Sequence, residues 1–227
     1  THRNLITGTS TMMASTDAAR GEVVLFQFPM FHISAYTLIW FLLQGYSIVV
    51  VRSFEAATCL ETIERRRVTM MSIAPTMLAL LLDHPKLQST DASSLRLLSY
   101  GSSAMPVEVL QRAIGRWPAI KFATAFGMTE LAGNVLYQDS ATHQAAINGR
   151  PHLLVSCGRP MPFSRVRLLD DTGQDVREGE PGELAIKGDQ VFQGYWRNEE
   201  ANRASFQDGW FLTGDIARRD SEGFYYV

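Results

Sequence analysis

The chain has 227 residues, 46% of them apolar and 19% charged, with a formal net charge of −2. That size supports a substantial core, as one large or two smaller domains, in an ordinary globular composition. The near-zero charge offers nothing to a nucleic acid or a polybasic membrane contact, and no apolar run approaches the ~20 residues of a membrane span.

The opening stretch "THRNLITGTSTMMASTDAARGE" has neither a signal-peptide core nor a cleavage pattern. Strands follow at "EVVLFQF" (22–28) and "YSIVVV" (46–51), continuous apolar runs of the kind buried on both faces of a parallel sheet. A helix is expected over 32–44 between them. After Ser53 as N-cap, "FEAATCLETIERRR" puts Ala56, Leu60 and Ile63 on one helical face, with Glu61 four residues before Arg65. "VTMMSI" (68–73) predicts a third strand, and a helix starts near Pro75. "LRLLSY" (95–100) predicts a fourth, ending in Gly101, Ser102 and Ser103. The next helix follows Pro106, carries the stripe Val107, Leu110, Ile114, and stops at Gly115. "IKFAT" (120–124) predicts a fifth strand, and "AFGMTE" (125–130) comes directly after it.

This alternation predicts an α/β layer with a parallel-rich sheet, over residues 1–156. Ligands bind such sheets at the C-terminal strand ends, where 101–103 and 125–130 fall. A polar stretch without strong period, 140–157, marks the seam. Beyond it, "SRVRLLDDTG", "GELAIKG" and "WFLTGDIARRDSEGFYYV" alternate between turn signals, with one helical turn at 198–204. Residues 157–227 therefore predict a small antiparallel, barrel-like β subdomain. The two cysteines, Cys59 and Cys157, make neither a disulfide framework nor a zinc spacing, which suits a reducing cytoplasm.

Five stretches in register, "FPMFH" (28–32), "YGSSAMP" (100–106), "AFGMTE" (125–130), "GELAIKGDQVFQGYW" (182–196) and "GWFLTGD" (209–215), resemble the adenylate-forming enzymes. Among these, "PMFH" is most similar to the acyl-CoA and aryl-CoA ligases. The resemblance implies a central piece of a longer enzyme. "THRNL" matches the segment after the family's phosphate loop, and "GFYYV" the segment before a mobile C-terminal domain that carries a catalytic lysine. On that footing the 227 residues alone are expected to be inactive, with apolar surface left bare for self-association.

The implied reaction joins a carboxylic acid, a fatty acid first, to ATP as an acyl-adenylate, which coenzyme A then takes as a thioester. The protein's share is placing charges and hydrogen-bond donors. By motif match, Glu130 holds Mg²⁺ and Thr129 donates to the α-phosphate. Ala125, Phe126, Gly127 and Met128 border the nucleotide. Phe126, standing where the family usually has tyrosine, stacks on adenine without a hydroxyl to bond. Asp215 accepts from the ribose hydroxyls. Gly101, Ser102 and Ser103 frame adenine, and His32 sits at the carboxylate end of the acyl site. Histidine at 32, where amino-acid-activating relatives carry aspartate, favours an acid without an α-amine. Small or apolar Ile33, Ala35, Tyr36, Leu131, Ala132 and Gly133 suit an alkyl or aryl chain. Two alternatives stay open: a carrier-protein thiol as acceptor, or a non-catalytic nucleotide-binding core.

Each motif also has a plainer meaning. Thr-Glu commonly begins a helix, "TGD" is commonly a turn, and "GSS" can be a strand-to-helix turn. "GYW" (194–196) and Trp210 are expected in the core of the small domain. Arg65, Arg66 and Arg67 read as a solvated helix end, and His2, His84, His143 and His152 as solvated or packing residues.

Overall fold

The computed structural model describes residues 1–16, 19, 21–31 and 33–227. In chain order its helices are α1 (His2–Ser15), α2 (Ile33–Leu43), α3 (Ala56–Arg66), α4 (Pro75–Asp83), α5 (Val107–Arg116), α6 (Ser140–Ile147) and α7 (Glu199–Ser205). The strands begin with β1 (Val23–Phe26), β2 (Ser47–Val50), β3 (Met70–Ile73), β4 (Leu97–Tyr100), β5 (Lys121–Met128) and β6 (Gly133–Gln138). They continue with β7 (Arg159–Pro160), β8 (Arg165–Leu169), β9 (Gly182–Lys187), β10 (Phe206–Gln207), β11 (Trp210–Arg219) and β12 (Tyr225–Tyr226). Two compact units interleave along the chain. One joins Thr1–Ser15, Ala125–Gln138 and Ser156–Val227; the other joins Thr16–Thr124 and Asp139–Val155.

The second unit is the α/β layer. Its strands lie in the order β2-β1-β3-β4-β5, and every neighbouring pair is parallel. The runs of β1 and β3 are buried as expected, with Val24, Leu25 and Phe26 and Met71 and Ile73 at most 2% exposed. The run of β2 is not, because β2 lies at the edge of the sheet with Ser47 and Val50 exposed. Leu60 and Ile63 of α3 and Leu78 and Leu81 of α4 complete this core with no exposure at all. Each such side chain contributes ~1.5–3 kcal/mol. Glu22, almost wholly buried just before β1, is satisfied by Arg96, by the Thr69 hydroxyl and by the Ala19 N–H.

Helix boundaries follow local chemistry. Pro75 opens α4, and Asp139 caps α6 by accepting from the Thr142 N–H at 2.8 Å. Ser53 does not cap α3. The helix starts at Ala56 behind Glu55, whose carboxylate takes a bond from the Thr58 hydroxyl at 2.6 Å. Glu61 pairs with Lys86 rather than with Arg65, since the lysine reaches it directly. Arg67 ends α3 in the left-handed region at φ 51° and pairs with Asp91 at 2.7 Å, so the basic run is a solvated helix end as read.

The first unit holds the antiparallel sheet β10-β11-β9-β8, with β12 added to β11. Leu131, Val135, Leu184, Ile186 and Phe211 form its core, each at most 2% exposed. The expected turn at 198–204 is α7, capped by Asn198, which accepts from the Ala201 N–H. Helix α1, which the sequence did not announce, belongs here too. Its Asn4 amide donates to the carbonyls of Asp189 and Val191, both at 2.8 Å. Among the described residues no helix is long and apolar enough to cross a membrane.

Candidate functional site

The fifth strand does not end at Thr124. It continues through Ala125, Phe126, Gly127 and Met128, and the chain leaves it in a 3-10 turn, Thr129–Leu131. The stretch 125–130 is therefore strand up to Met128 and exit from Thr129. Phe126 and Met128 pack against the core of their unit, Leu131 is fully buried within that core, and Thr129 is exposed. Ala132, left-handed at φ 47°, closes the turn with its N–H on the Thr129 carbonyl at 3.0 Å.

Gly127 is indispensable for a reason the sequence did not reveal. A Cβ there would lie 2.1 Å from the Gly133 carbonyl oxygen and 2.6 Å from the Asn134 Cα. Without a side chain, Gly127 admits the close approach of β6, which fixes how the turn leaves the strand.

Glu130 is held from one side. The Tyr195 hydroxyl donates to Oε1 at 3.0 Å, while the Phe192 N–H donates to the Glu130 carbonyl at 2.7 Å. The other carboxylate oxygen, Oε2, has no protein partner among the described residues. Burial first, then the neighbouring carboxylate, pushes the Tyr195 phenol up, which keeps it a donor. Tyr195 and Trp196 are not core: they are 37% and 85% exposed. The "GYW" stretch lies at the surface because Phe192, rather than these two rings, supplies the apolar anchor against Phe206 and Phe211. Trp210 is only half-buried, with Arg167 and Lys187 over its ring at 5.2 and 5.7 Å.

Asp215 stands at an interruption of a ladder. The register between β11 and β9 shifts between Leu212 and Ile216, and Gly214 takes φ +79° at the irregularity. The freed backbone is satisfied locally. Thr213 Oγ1 donates to the Leu184 carbonyl at 2.8 Å, and the Gly214 N–H donates to the Glu183 carboxylate at 3.0 Å. The Asp215 carboxylate has no hydrogen-bond partner among the described residues, and partial burial raises its pKa. Such a β-bulge re-aims a side chain out of a ladder.

In the α/β unit, Gly101, Ser102 and Ser103 follow β4, with Ser102 and Ser103 exposed and Ser102 left-handed at φ 70°. A serine in that region is strained by ~1–3 kcal/mol, the kind of outlier that collects at binding loops. The residue just before this loop is fixed from below. Tyr100 shares a 2.8 Å hydrogen bond with His143 Nε2, and His143 Nδ1 lies 2.8 Å from the Asp139 carbonyl. A carbonyl only accepts, so Nδ1 carries the proton and Nε2 accepts from the tyrosine. His143 is buried, which lowers its pKa and keeps it neutral. His32 lies outside the described residues.

No group of three or more His, Cys, Asp or Glu side chains able to hold a metal occurs among the described residues. A single carboxylate with one oxygen open suits Mg²⁺, which typically takes one or two carboxylates and completes its shell with substrate phosphates and water.

The model of the family described as AMP-binding enzyme matches residues 1–196. The chain belongs to that family. Among its relatives, the medium/long-chain-fatty-acid–CoA ligase FadD8 of Mycobacterium tuberculosis is 36% identical over 227 residues, all of this chain and 38% of that protein. The feruloyl-CoA synthase of an Amycolatopsis species is 35% identical over 229 residues, covering all of this chain and 45% of that enzyme. The solved O-succinylbenzoate coenzyme A synthetase of Bacillus subtilis, in complex with ATP and magnesium ion, superposes with a TM-score of 0.87 at 28% identity, over 100% of this chain and 45% of that one. The chain thus spans less than half the length of the relatives compared.

Proposed function

We propose that the chain forms the nucleotide-handling part of an acid–thiol ligase that converts a carboxylic acid to its acyl-adenylate and then to the coenzyme A thioester. In the first step a carboxylate oxygen attacks the α-phosphorus of ATP; the new O–P bond replaces the α–β anhydride bond, and pyrophosphate leaves. In the second, the thiol sulfur attacks the acyl carbon, the C–O bond to AMP breaks, and the thiol proton is lost to solvent or a base.

The observation that carries this reading is Asp215, a carboxylate set out of its ladder with no hydrogen-bond partner among the described residues, on the motif that matches a ribose acceptor. Two ribose hydroxyls would satisfy it. Thr129, exposed at the head of its turn, would donate to the α-phosphate. Glu130 would offer its open oxygen to Mg²⁺, which supplies charge neutralisation of the phosphates. The packed Phe126 would present the uncovered part of its ring to adenine. Gly101, Ser102 and Ser103 would border the base, and His32 the carboxylate of the acid. A fatty acid is the first candidate substrate, with an arylpropenoic acid next, since relatives named for each type match to similar extents. Both cysteines are free, one in each unit, and we place the enzyme in the reducing cytoplasm.

The test uses the whole natural protein that contains this sequence, supplied with Mg-ATP and a panel of short, medium, long-chain and aryl acids, with and without coenzyme A. AMP release coupled to thioester formation, dependent on one acid class, is expected. Adenylate that accumulates regardless of coenzyme A would move the acceptor to a carrier-protein thiol. The absence of any acid-dependent AMP would sink the reading.

A further inference from the structure

The stretch 182–196 has no role in the reaction as laid out above, yet residues 190–195 grip the turn Thr129–Leu131 at three points. The Gln190 amide, wholly buried, donates to the Leu131 carbonyl at 3.1 Å and to the Asn134 carbonyl at 3.0 Å. The Phe192 N–H donates to the Glu130 carbonyl, and the Tyr195 hydroxyl to Glu130 Oε1. The grip is itself anchored. Asn202 of α7 accepts from the Tyr195 N–H at 2.6 Å and donates to the Tyr195 carbonyl at 3.0 Å. Gly194 lets the two segments meet, since a Cβ there would lie 2.7 Å from Asn202 Oδ1. Phe192 stacks edge-on against the Tyr195 ring, centroids 4.9 Å apart.

We propose that Tyr195 is a positioning residue that fixes the Glu130 carboxylate through Oε1 and so presents Oε2, pre-aimed, to the divalent cation of the nucleotide. This rests on the reading of Glu130 as the metal-holding carboxylate. The physical reason is conformational. A glutamate at the surface samples many rotamers, and a ligand must be chosen from among them. A hydrogen bond from a braced phenol removes that choice before the cation arrives. Outer partners of a metal-binding carboxylate commonly govern affinity by 10–100-fold.

The experiment uses the whole natural protein with Mn²⁺ as the probe, its binding followed by electron paramagnetic resonance in the presence of ATP. Y195F keeps the ring and loses only the donor; it should weaken Mn²⁺ binding about tenfold while leaving metal-free AMP binding within about twofold. N202A frees the brace at its far end and should weaken the cation by a smaller factor. E130Q should weaken it most, and Y195F should add nothing in the E130Q background. Unchanged Mn²⁺ binding in Y195F beside a weakened E130Q would overturn the positioning role alone, as would additive losses in the double variant. Unchanged binding in E130Q would instead bring down the reading of Glu130, and the proposal with it. Should Y195F unfold, N202A decides by the same comparison.

Discussion

If Asp215 accepts from ribose as proposed, it holds stability and binding in opposition. Its folded pKa is raised by burial, so the proton is bound more tightly in the folded state than in the unfolded one. Its contribution to stability is therefore present below the ordinary carboxylate value and is lost as pH rises through the raised one. At neutral pH the charge burdens the fold. Asp215→Asn should raise the melting temperature at pH 7 while weakening AMP about tenfold or more, since bonds to a charged acceptor contribute ~1.5–3 kcal/mol. Paired melting curves and calorimetric titrations check both halves, and a variant that lost stability at pH 7 would contradict the account. Gly127→Ala should behave oppositely. The methyl group would drive into the Gly133 carbonyl, and the denaturation midpoint should fall by the equivalent of about 1–3 kcal/mol or more. At this scale the sequence was readable where residue type alone dictates placement, as at Leu60 and Ile63, which the periodicity put on one helical face and which are fully buried. It was unreadable where the reason lay in a neighbour's backbone, as at Gly127. Tyr195 was hidden for a related cause: an aromatic cluster in sequence looks like core, and only the fold shows which ring turns outward.

The elements were most legible where burial is simplest. Parallel strands covered on both faces must be apolar throughout, and the runs at 22–28, 68–73 and 95–100 were found on that ground. Helix α1 escaped notice because "TGTSTMMAST" has no apolar stripe. Its buried side is made of Asn4, Gly8, Thr9, Thr11 and a single apolar residue, Met12, and the threonine hydroxyls bond back along the helix, Thr9 to the Leu5 carbonyl and Thr11 to that of Thr7. Helix α6 and its buried histidine were likewise concealed in a polar stretch. Neutral His143 ties α6 to the end of β4, and this gives a pH prediction. Its folded pKa is lowered from 6.5, so stability is complete above that value and is lost as pH falls below it, where the unfolded chain takes a proton that the folded one refuses. The unfolding midpoint should drop between pH 7.5 and 5.5. His143→Gln should be less stable at pH 7.5 yet flatter across that range, whereas parallel profiles would remove His143 as the cause.

Over the whole molecule, the α/β unit carries apolar surface. Met30, Phe31, Leu42, Leu43 and Val50 are each more than half exposed. Strand β2, "SIVV", is the edge of the parallel sheet and pairs only with β1 among the described residues. An uncovered apolar edge is a template for association. The 227 residues purified alone should elute above monomer size, and Val50→Lys should shift them toward monomer. A clean monomer from the unaltered chain would show that this edge is already protected. The interleaving of the units has another result, one of timing. Helix α1 is seated by backbone carbonyls about 185 residues further along, at Asp189 and Val191. At the ~5–20 residues per second of synthesis, it leaves the ribosome roughly 10–40 s before the segment after β9 that will hold it exists. Helix α1 is therefore made well before it can be fixed, and its apolar Leu5, Ile6 and Met13, still partly exposed in the finished fold, are open to holding chaperones throughout that wait.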